Sequence, residues 1–498
     1  MKQTRQFLMF LAMVFSVYAV LFFSSFPVKL AAICIYFLIL LSISYVLILE
    51  NRSPYKTLLW IYVLFFFPVI GFIFFIYSGQ LEVKGHLFKS KKEQNMASLK
   101  KYINFQASPK WHDLSDRDQS FSNLIARMAN SPISFYSSTT LLTNGEETFP
   151  AIINSLKRAE NYIHMEYYIF RSDKIGKTIL DLLIDKAKQG VEIRFLYDAV
   201  GSYQLSREDI HSLEEAGVKV SCFLPIKHGF FNQKLNFRNH RKIIVIDGKV
   251  GYVGGLNVGD EYAGYTKEYG YWRDSHLKVS GEALRPLHHV FLADWAYQTG
   301  EELDYDHYLE TYEVKGDGGV QVVAGGPDTR QGIMSDLYYS MITDAKKTIC
   351  IATPYFIPNK AIRAALIMAS LRGVRVQLLV PNISDSFLTE YATKSYFPEL
   401  MAAGIEVYEY QKGFLHQKVM IIDSEIATIG TANMDMRSFH LNFEVNVFLF
   451  HTTSVDEMVK AYTEDLLKSV KVSPDAYKLR GYSRRTKESI ARLFSPIL

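Results

Sequence analysis

Cysteine is scarce: Cys34, Cys222 and Cys350 are the only three in 498 residues. Their odd number and wide scatter exclude a disulfide framework or a zinc-ligand spacing, and fit a reducing compartment. Net charge is slight as well, +4 from 55 basic and 51 acidic residues. The concentrated basic face of a nucleic-acid-binding protein is therefore missing, and no nucleic-acid partner is expected. A phosphate-cradling loop is absent too. Gly176-Lys177-Thr178 resembles the end of one, but Arg171 stands where its first glycine is required, so an ordinary helix start is expected. His288 and His289 have no partner at metal-ligand spacing, and neither a metal nor another cofactor is expected.

Charge is missing altogether from 7–26 and 30–49. With a third apolar run at 58–77, each approaches the ~20 residues a helix needs to cross hydrocarbon. Helices buried in a soluble core need no such freedom from charge, so 1–80 is expected to be embedded in a membrane. The first run follows Lys2 and Arg5 as a signal peptide would. It is long for that role and lacks a small-x-small site before Pro27, and is expected to remain uncleaved. Three spans would place Lys2, Arg5, Arg52 and Lys56 opposite the rest of the chain, a conflict that two spans remove. Lys84, Lys89, Lys91, Lys92, Lys100 and Lys101 follow the last run, where they would attract anionic headgroups or line a solvated linker.

What the remaining residues contain is a duplication. His240-Arg-Lys242 is followed by Asp247, Gly254 and Asn257; His416-Gln-Lys418 is followed by Asp423, Gly430 and Asn433. A match at five fixed positions is expected by chance on the order of once per million start points, and here it occurs twice. The flanks repeat too. Apolar strands are expected at 163–170 and 191–198 with a helix at 175–189 between them, and again at 349–356 and 374–380 around a helix at 360–371. Gly217 and Gly404 each close a helix before another strand. This alternation predicts an α/β fold: two lobes, each a mostly parallel sheet flanked by helices, packed as a pseudo-two-fold pair behind the membrane region. The expected boundaries are membrane helices 1–80, linker 81–130, lobe one 131–300, connector 301–318, lobe two 319–475 and a basic amphipathic tail 476–498.

A phosphodiester transfer needs a nucleophile, a proton donor for the leaving alkoxide, and positive charge around the transition-state oxygens. The two motifs hold all three. Period two places His240 with Lys242, and His416 with Lys418, on one strand face each. One imidazole can form a phosphohistidine while the other protonates the leaving alcohol. Lys242, Lys418, Asn257 and Asn433 would hold the non-bridging oxygens, in the place of a metal. Asp247 and Asp423 are expected to brace the motifs rather than carry protons. Each histidine also needs an acceptor for its other nitrogen; Glu444 is the candidate for His416 and Asp274 for His240. The glycine after each Asp segment is expected to open a turn.

The paired signatures resemble the phospholipase D superfamily, and the chain is similar to its bacterial cardiolipin synthases over essentially its whole length. The narrower likeness rests on Asn239-His-Arg-Lys-Ile-Ile-Val-Ile-Asp-Gly248, Gly254-Gly255, Trp272-Arg-Asp274, Thr353-Pro-Tyr-Phe356, Glu50-Asn-Arg-Ser-Pro-Tyr-Lys56 and the ending from Glu488 to Leu498. The resemblance implies transfer of a phosphatidyl group between two phosphatidylglycerol molecules, in a bacterial cell membrane, by a multi-pass protein with cytoplasmic catalytic lobes. It implies His240 as nucleophile and His416 as acid and base. Gly255 lacks a hydroxyl that relatives carry near the phosphate, whereas Thr431 keeps one. Water, making a phospholipase D, or serine or another alcohol are the alternative acceptors. His228-Gly-Phe-Phe231, between Lys227 and Lys234, and the apolar Ile490, Leu493, Phe494, Ile497 and Leu498 are candidates for contact with the membrane interface.

Overall fold

The computed structural model describes residues 2–49, 54–75, 87–103, 108–225, 234, 236–264, 267–310, 312, 314–330, 332–495 and 498. The chain forms two compact units, Met1–Leu87 with Ile226–Asn236, and Phe88–Pro225 with Phe237–Leu498. Loop 228–231 lies outside the described residues.

The first unit contains helices Lys2–Phe22, Phe26–Leu49, Pro54–Phe66 and Pro68–Phe74. Among the described residues, Phe26–Leu49 is the one helix long and apolar enough to cross a membrane; Phe7–Phe22 and Thr57–Phe66 are shorter apolar stretches. The third run is thus not one continuous span. Pro68 has no N–H to give to the carbonyl four residues back and its ring crowds the preceding turn, so the helix breaks at Phe67. The carbonyl left free is that of Leu64, and the Tyr36 hydroxyl of the neighbouring helix reaches Leu64 O at 3.0 Å and Phe65 O at 2.7 Å.

The second unit holds two large sheets. The strands of the first half are β1 (Ser137–Thr143), β2 (Tyr162–Tyr167), β3 (Glu192–Asp198), β4 (Lys219–Phe223), β5 (Lys242–Ile246), β6 (Val250–Gly254), β7 (Tyr271–Arg273) and β8 (Ser275–Gly281). Those of the second are β9 (Gly319–Gly325), β10 (Thr348–Ala352), β11 (Phe356–Ile357), β12 (Arg375–Pro381), β13 (Glu406–Tyr410), β14 (Gly413–Leu415), β15 (Val419–Ile422), β16 (Ile426–Gly430), β17 (Met434–Asp435), β18 (Glu444–Phe450) and β19 (Ser469–Lys471). The sheet orders are β1-β8-β6-β5-β2-β3-β4 and β19-β13-β12-β10-β15-β16-β18-β9, while β11 pairs with β17. Read from opposite ends, the second order repeats the first and adds β19.

The α/β class and the two helix-flanked lobes agree with the sequence reading, but the sheets are mixed rather than mostly parallel. Only β2–β3 and β3–β4, and in the second sheet β10–β12 and β12–β13, run parallel. These are the strands joined through helices, the connection a parallel pair needs. The motif strands instead form hairpins. Asp247 and Gly248 have φ of 53° and 62°, as Asp423 and Ser424 have 54° and 59°, and the N–H of Lys249 and of Glu425 each donates back to the carbonyl three residues earlier. Such turns join antiparallel neighbours.

Local signals set the helices. Asp173, Ser206 and Asn359 side chains accept the third N–H of helices Lys174–Lys188, Arg207–Glu215 and Lys360–Leu371. Gly217 and Gly404 (φ 92° and 86°) take the left-handed conformation after helices Arg207–Glu215 and Phe397–Ala402. Strands β2, β5 and β18 are buried along their whole length, because helices cover both faces of each sheet.

Candidate active site

At the motif histidines the lobes meet through two reciprocal contacts. Strand β14 pairs in parallel with β7, setting Leu415 opposite Arg273, and Asn239 bridges to Phe443. The next residue on each side is a motif histidine. His240 N–H donates to Phe443 O at 2.9 Å and His416 N–H to Arg273 O at 2.7 Å. The next residue on each partner strand is a carboxylate, so His240 Nδ1 lies 2.9 Å from Glu444 Oε2 and His416 Nδ1 lies 2.7 Å from Asp274 Oδ2. This reverses the expected pairing. Glu444 serves His240 and Asp274 serves His416, because each histidine is pinned to the strand end that carries the opposite lobe's acid.

Both acids are fully buried and both rings nearly so. Burial holds His240 at about 4 against the pull of Glu444, and burial with Lys418 holds His416 at about 3 against Asp274. Burial would raise Glu444 and Asp274, but His240 and His416 respectively outweigh it and both carboxyls stay below their ordinary range. Each pair is an ionised acceptor and a neutral ring near pH 7. The hydrogen sits on Nδ1, and Nε2 keeps its lone pair.

Lys242 and Lys418 share the strand faces of their histidines and donate to His240 O at 2.7 Å and His416 O at 2.6 Å. Burial lowers Lys242 to about 7 against Glu444, and Lys418 to about 8 against Asp274. Lys418 also acts on His240 and Lys242 on His416, so both motifs face one cleft. Asn257 Oδ1 accepts Ile169 N–H at 3.2 Å, which turns its amide donors away from that bond. Asn433 is buried as well. Thr431 Oγ1 donates to Glu444 Oε2 at 2.5 Å. At the matching position, a Cβ on Gly255 would lie 2.0 Å from Asp274 Oδ1.

Asp247 and Asp423 lie away from the histidine rings, at the hairpin turns. Asp247 accepts the N–H groups of Glu160, Asn161 and Tyr162. Asp423 accepts those of Lys346, Lys347 and Thr348, and pairs with Arg117 at 2.6 Å. Gly254 and Gly430 end β6 and β16 without entering the left-handed region. A Cβ there would meet His276 Cα at 2.6 Å or Val445 O at 2.3 Å, so close strand approach, not the expected turn, requires glycine.

Sequence reading overlooked the aromatic wall. The Tyr168 ring centre is 4.9 Å from that of His240, and Trp272 and Phe414 stand 5.1 and 5.7 Å from His416. Trp272 and Phe414 lie on the two strands of the β7–β14 pair, a contact with no local sequence signal. Lys91, expected among headgroup-binding lysines, is instead buried. Within the described tail, helix Tyr482–Leu493 buries Glu488 and Ala491 and leaves Ile490, Leu493 and Phe494 exposed; Ile497 lies outside the described residues.

The model of the cardiolipin synthase PLD-like domain matches residues 152–295 and 338–466. The chain is 50% identical to a probable cardiolipin synthase of Bacillus subtilis (strain 168) over 501 residues, covering 100% of both chains. The chain belongs to the cardiolipin synthase family. A cardiolipin synthase of Geobacillus sp. (strain WCH70) is 47% identical over 92% of this chain and 91% of its own. A phospholipase D-nuclease N-terminal model matches residues 30–80, over the apolar helix, in keeping with a membrane protein. The cardiolipin synthase relatives act on membrane phospholipid and are phosphatidyltransferases of the phospholipase D superfamily. The fold also matches phosphatidylserine synthase of Haemophilus influenzae Rd KW20, with a TM-score of 0.57 at 14% identity over 76% of this chain and 100% of that one.

Proposed function

We propose that this chain joins two phosphatidylglycerol molecules into cardiolipin and glycerol through a phosphohistidine. His240 Nε2 attacks the donor phosphorus, and the bond from phosphorus to the headgroup glycerol oxygen breaks as His416 supplies that oxygen with a proton. Free glycerol departs. His416 then takes the proton of the acceptor's headgroup hydroxyl, whose oxygen attacks phosphorus and releases His240. His416 begins this cycle neutral in the empty cleft; the anionic phosphodiester favours its protonation, as it favours charge on Lys242 and Lys418. Those lysines, with Asn257 and Asn433, hold the phosphate oxygens.

The observation that carries this reading is the reciprocal pairing His240–Glu444 and His416–Asp274 around two buried lysines. It supplies two neutral, oriented imidazoles and two cations to one phosphate. Tyr168, Trp272 and Phe414 shield the rings, which favours a lipid alcohol over water as acceptor. The chain would be a multi-pass protein of a bacterial cell membrane, with lobes 131–300 and 319–475 on the cytoplasmic side and the exposed apolar residues of the tail toward the interface.

The test is purified full-length protein in detergent with phosphatidylglycerol and a chelator, products resolved by mass spectrometry beside His416→Ala. Cardiolipin and glycerol that disappear in the variant are expected. Phosphatidic acid alone would make water the acceptor, and turnover that survives His416→Ala would end the two-histidine account.

A further inference from the structure

The two lobes repeat each other closely enough that a missing part is visible. In lobe two, Gln417 follows His416, and its amide donates at 2.7 Å to Asp465 on helix Thr453–Leu467. The counter-charge of Asp465 is Arg273, which precedes Asp274 and lies 2.7 Å away. In lobe one, Arg241 follows His240 and pairs with Asp294 on helix Leu284–Thr299. The residue preceding Glu444, where an arginine would complete the repeat, is Phe443.

A lysine from outside the repeats fills that place. Lys91, on helix Lys89–Tyr102, is 1% exposed. Its ammonium lies 2.7 Å from Asp294 Oδ1, bonds to Asp328, and stands 5.4 Å from the Phe443 ring centre. Asp328 also takes a bond from Asn95 at 3.1 Å. Arg241 also donates to Glu444 O and Gly325 O, both at 3.1 Å, and stands 3.9 Å from Asp328 Oδ1. The cluster thus holds two cations, Lys91 and Arg241, against two carboxylates, Asp294 and Asp328. Glu166 lies behind Asp294, where burial and that neighbour push its carboxyl well above the usual carboxylate range. Burial works against the Lys91 ammonium, but Asp294 and Asp328 more than offset it.

We infer that Lys91 is a positioning residue for the transfer reaction: by balancing Asp294 and Asp328 it fixes Arg241, which in turn holds the backbone of Glu444, the acid that orients His240. It also makes the helix that follows the apolar region in sequence part of the catalytic body. The inference rests on the two-histidine chemistry above for its kinetic arm only.

Removing Lys91 leaves one buried cation for two carboxylates, which is costly unless a proton enters. The groups facing the vacated position are Asp294 with Glu166, Asp328, Arg241 and His289, and a cavity lined by Arg241, His289 and Asp328 admits water. Whichever group takes the proton is raised in the folded state, so balance is kept at low pH and lost as pH rises.

The test uses full-length Lys91→Met and Lys91→Met/Asp328→Asn. Lys91→Met is expected to lower kcat about 10- to 100-fold at pH 8, with KM for phosphatidylglycerol within about threefold. Its kcat relative to wild type at the same pH should recover toward pH 6, whereas that of the double variant relative to wild type should stay level across the range. Independently of turnover, the thermal midpoint of Lys91→Met should fall between about pH 5 and 8 relative to both. A midpoint for Lys91→Met that follows wild type across this range would overturn the inference. So would a double variant as slow as the single one. Should Lys91→Met fail to fold, the double variant decides: a folded protein within about tenfold of wild-type kcat supports charge balance, and a hundredfold loss ends it.

Discussion

Exchange of the histidine partners between lobes is most sharply tested by Glu444→Gln compared with Asp274→Asn. Glu444 is fully buried and accepts from His240 Nδ1 at 2.9 Å and from Thr431 Oγ1 at 2.5 Å. Glutamine keeps the shape but can turn an N–H toward Nδ1, driving the ring hydrogen onto Nε2, where the lone pair must attack. A charge-assisted buried bond contributes about 1.5–3 kcal/mol, and the wrong tautomer adds to that. Loss of an orienting acid in a comparable triad lowers kcat about 10⁴-fold, equivalent to about 5.4 kcal/mol at 1.36 kcal/mol per tenfold. We expect a loss of about 10³- to 10⁴-fold for Glu444→Gln. The assay is rapid quench with phosphorus-labelled phosphatidylglycerol, counting acid-labile but base-stable phosphohistidine in the first turnover. Glu444→Gln should form almost none. Asp274→Asn disables His416 instead, so whatever phosphohistidine it forms should sit on His240 and persist, because no base activates the acceptor. A Glu444→Gln enzyme that fills His240 at the wild-type rate, with Asp274→Asn unable to, would refute the cross-lobe assignment.

Asp423→Ala strips three backbone N–H groups and Arg117 of their acceptor, and we expect about 2–4 kcal/mol less stability in denaturant titration with near-normal kcat in the protein that stays folded. Because Lys242 and Lys418 stand at about 7 and 8 in the empty cleft, kcat/KM should fall as pH rises through 7 to 8, where the cations that bind phosphate are lost. With His240 at about 4, the nucleophile stays unprotonated well below pH 6, so the acid-side fall in kcat/KM should come below about pH 5; an acid limb centred near 6.5 would count against burial as the controlling effect. Gly255→Ala places a Cβ 2.0 Å from Asp274 Oδ1, and displacing that acid by about 1 Å should cost on the order of 100-fold in kcat, with the phosphohistidine that does form still on His240 and slow to turn over.

The strand faces of the motifs and the apolar runs were legible in sequence order because they depend on local spacing. His-x-Lys on a period-two strand puts both side chains on one face whatever surrounds it, and apolar strands around amphipathic helices determine an α/β repeat. The apolar run 30–49, within helix Phe26–Leu49, followed from its freedom from charge. Tertiary structure alone decided what lies across the pseudo-two-fold contact. Glu444 and His240 are 204 residues apart, and Asp274 and His416 are 142 apart; no periodicity connects them, and only the docking of β14 on β7 and of Asn239 on Phe443 says which acid meets which ring. The sheets turned out mixed because tight turns at Asp247 and Asp423 reverse the chain where alternation suggested crossovers. Lys91 read as one more surface lysine because its charge is matched by Asp294 and Asp328, which come within reach only when the chain is folded.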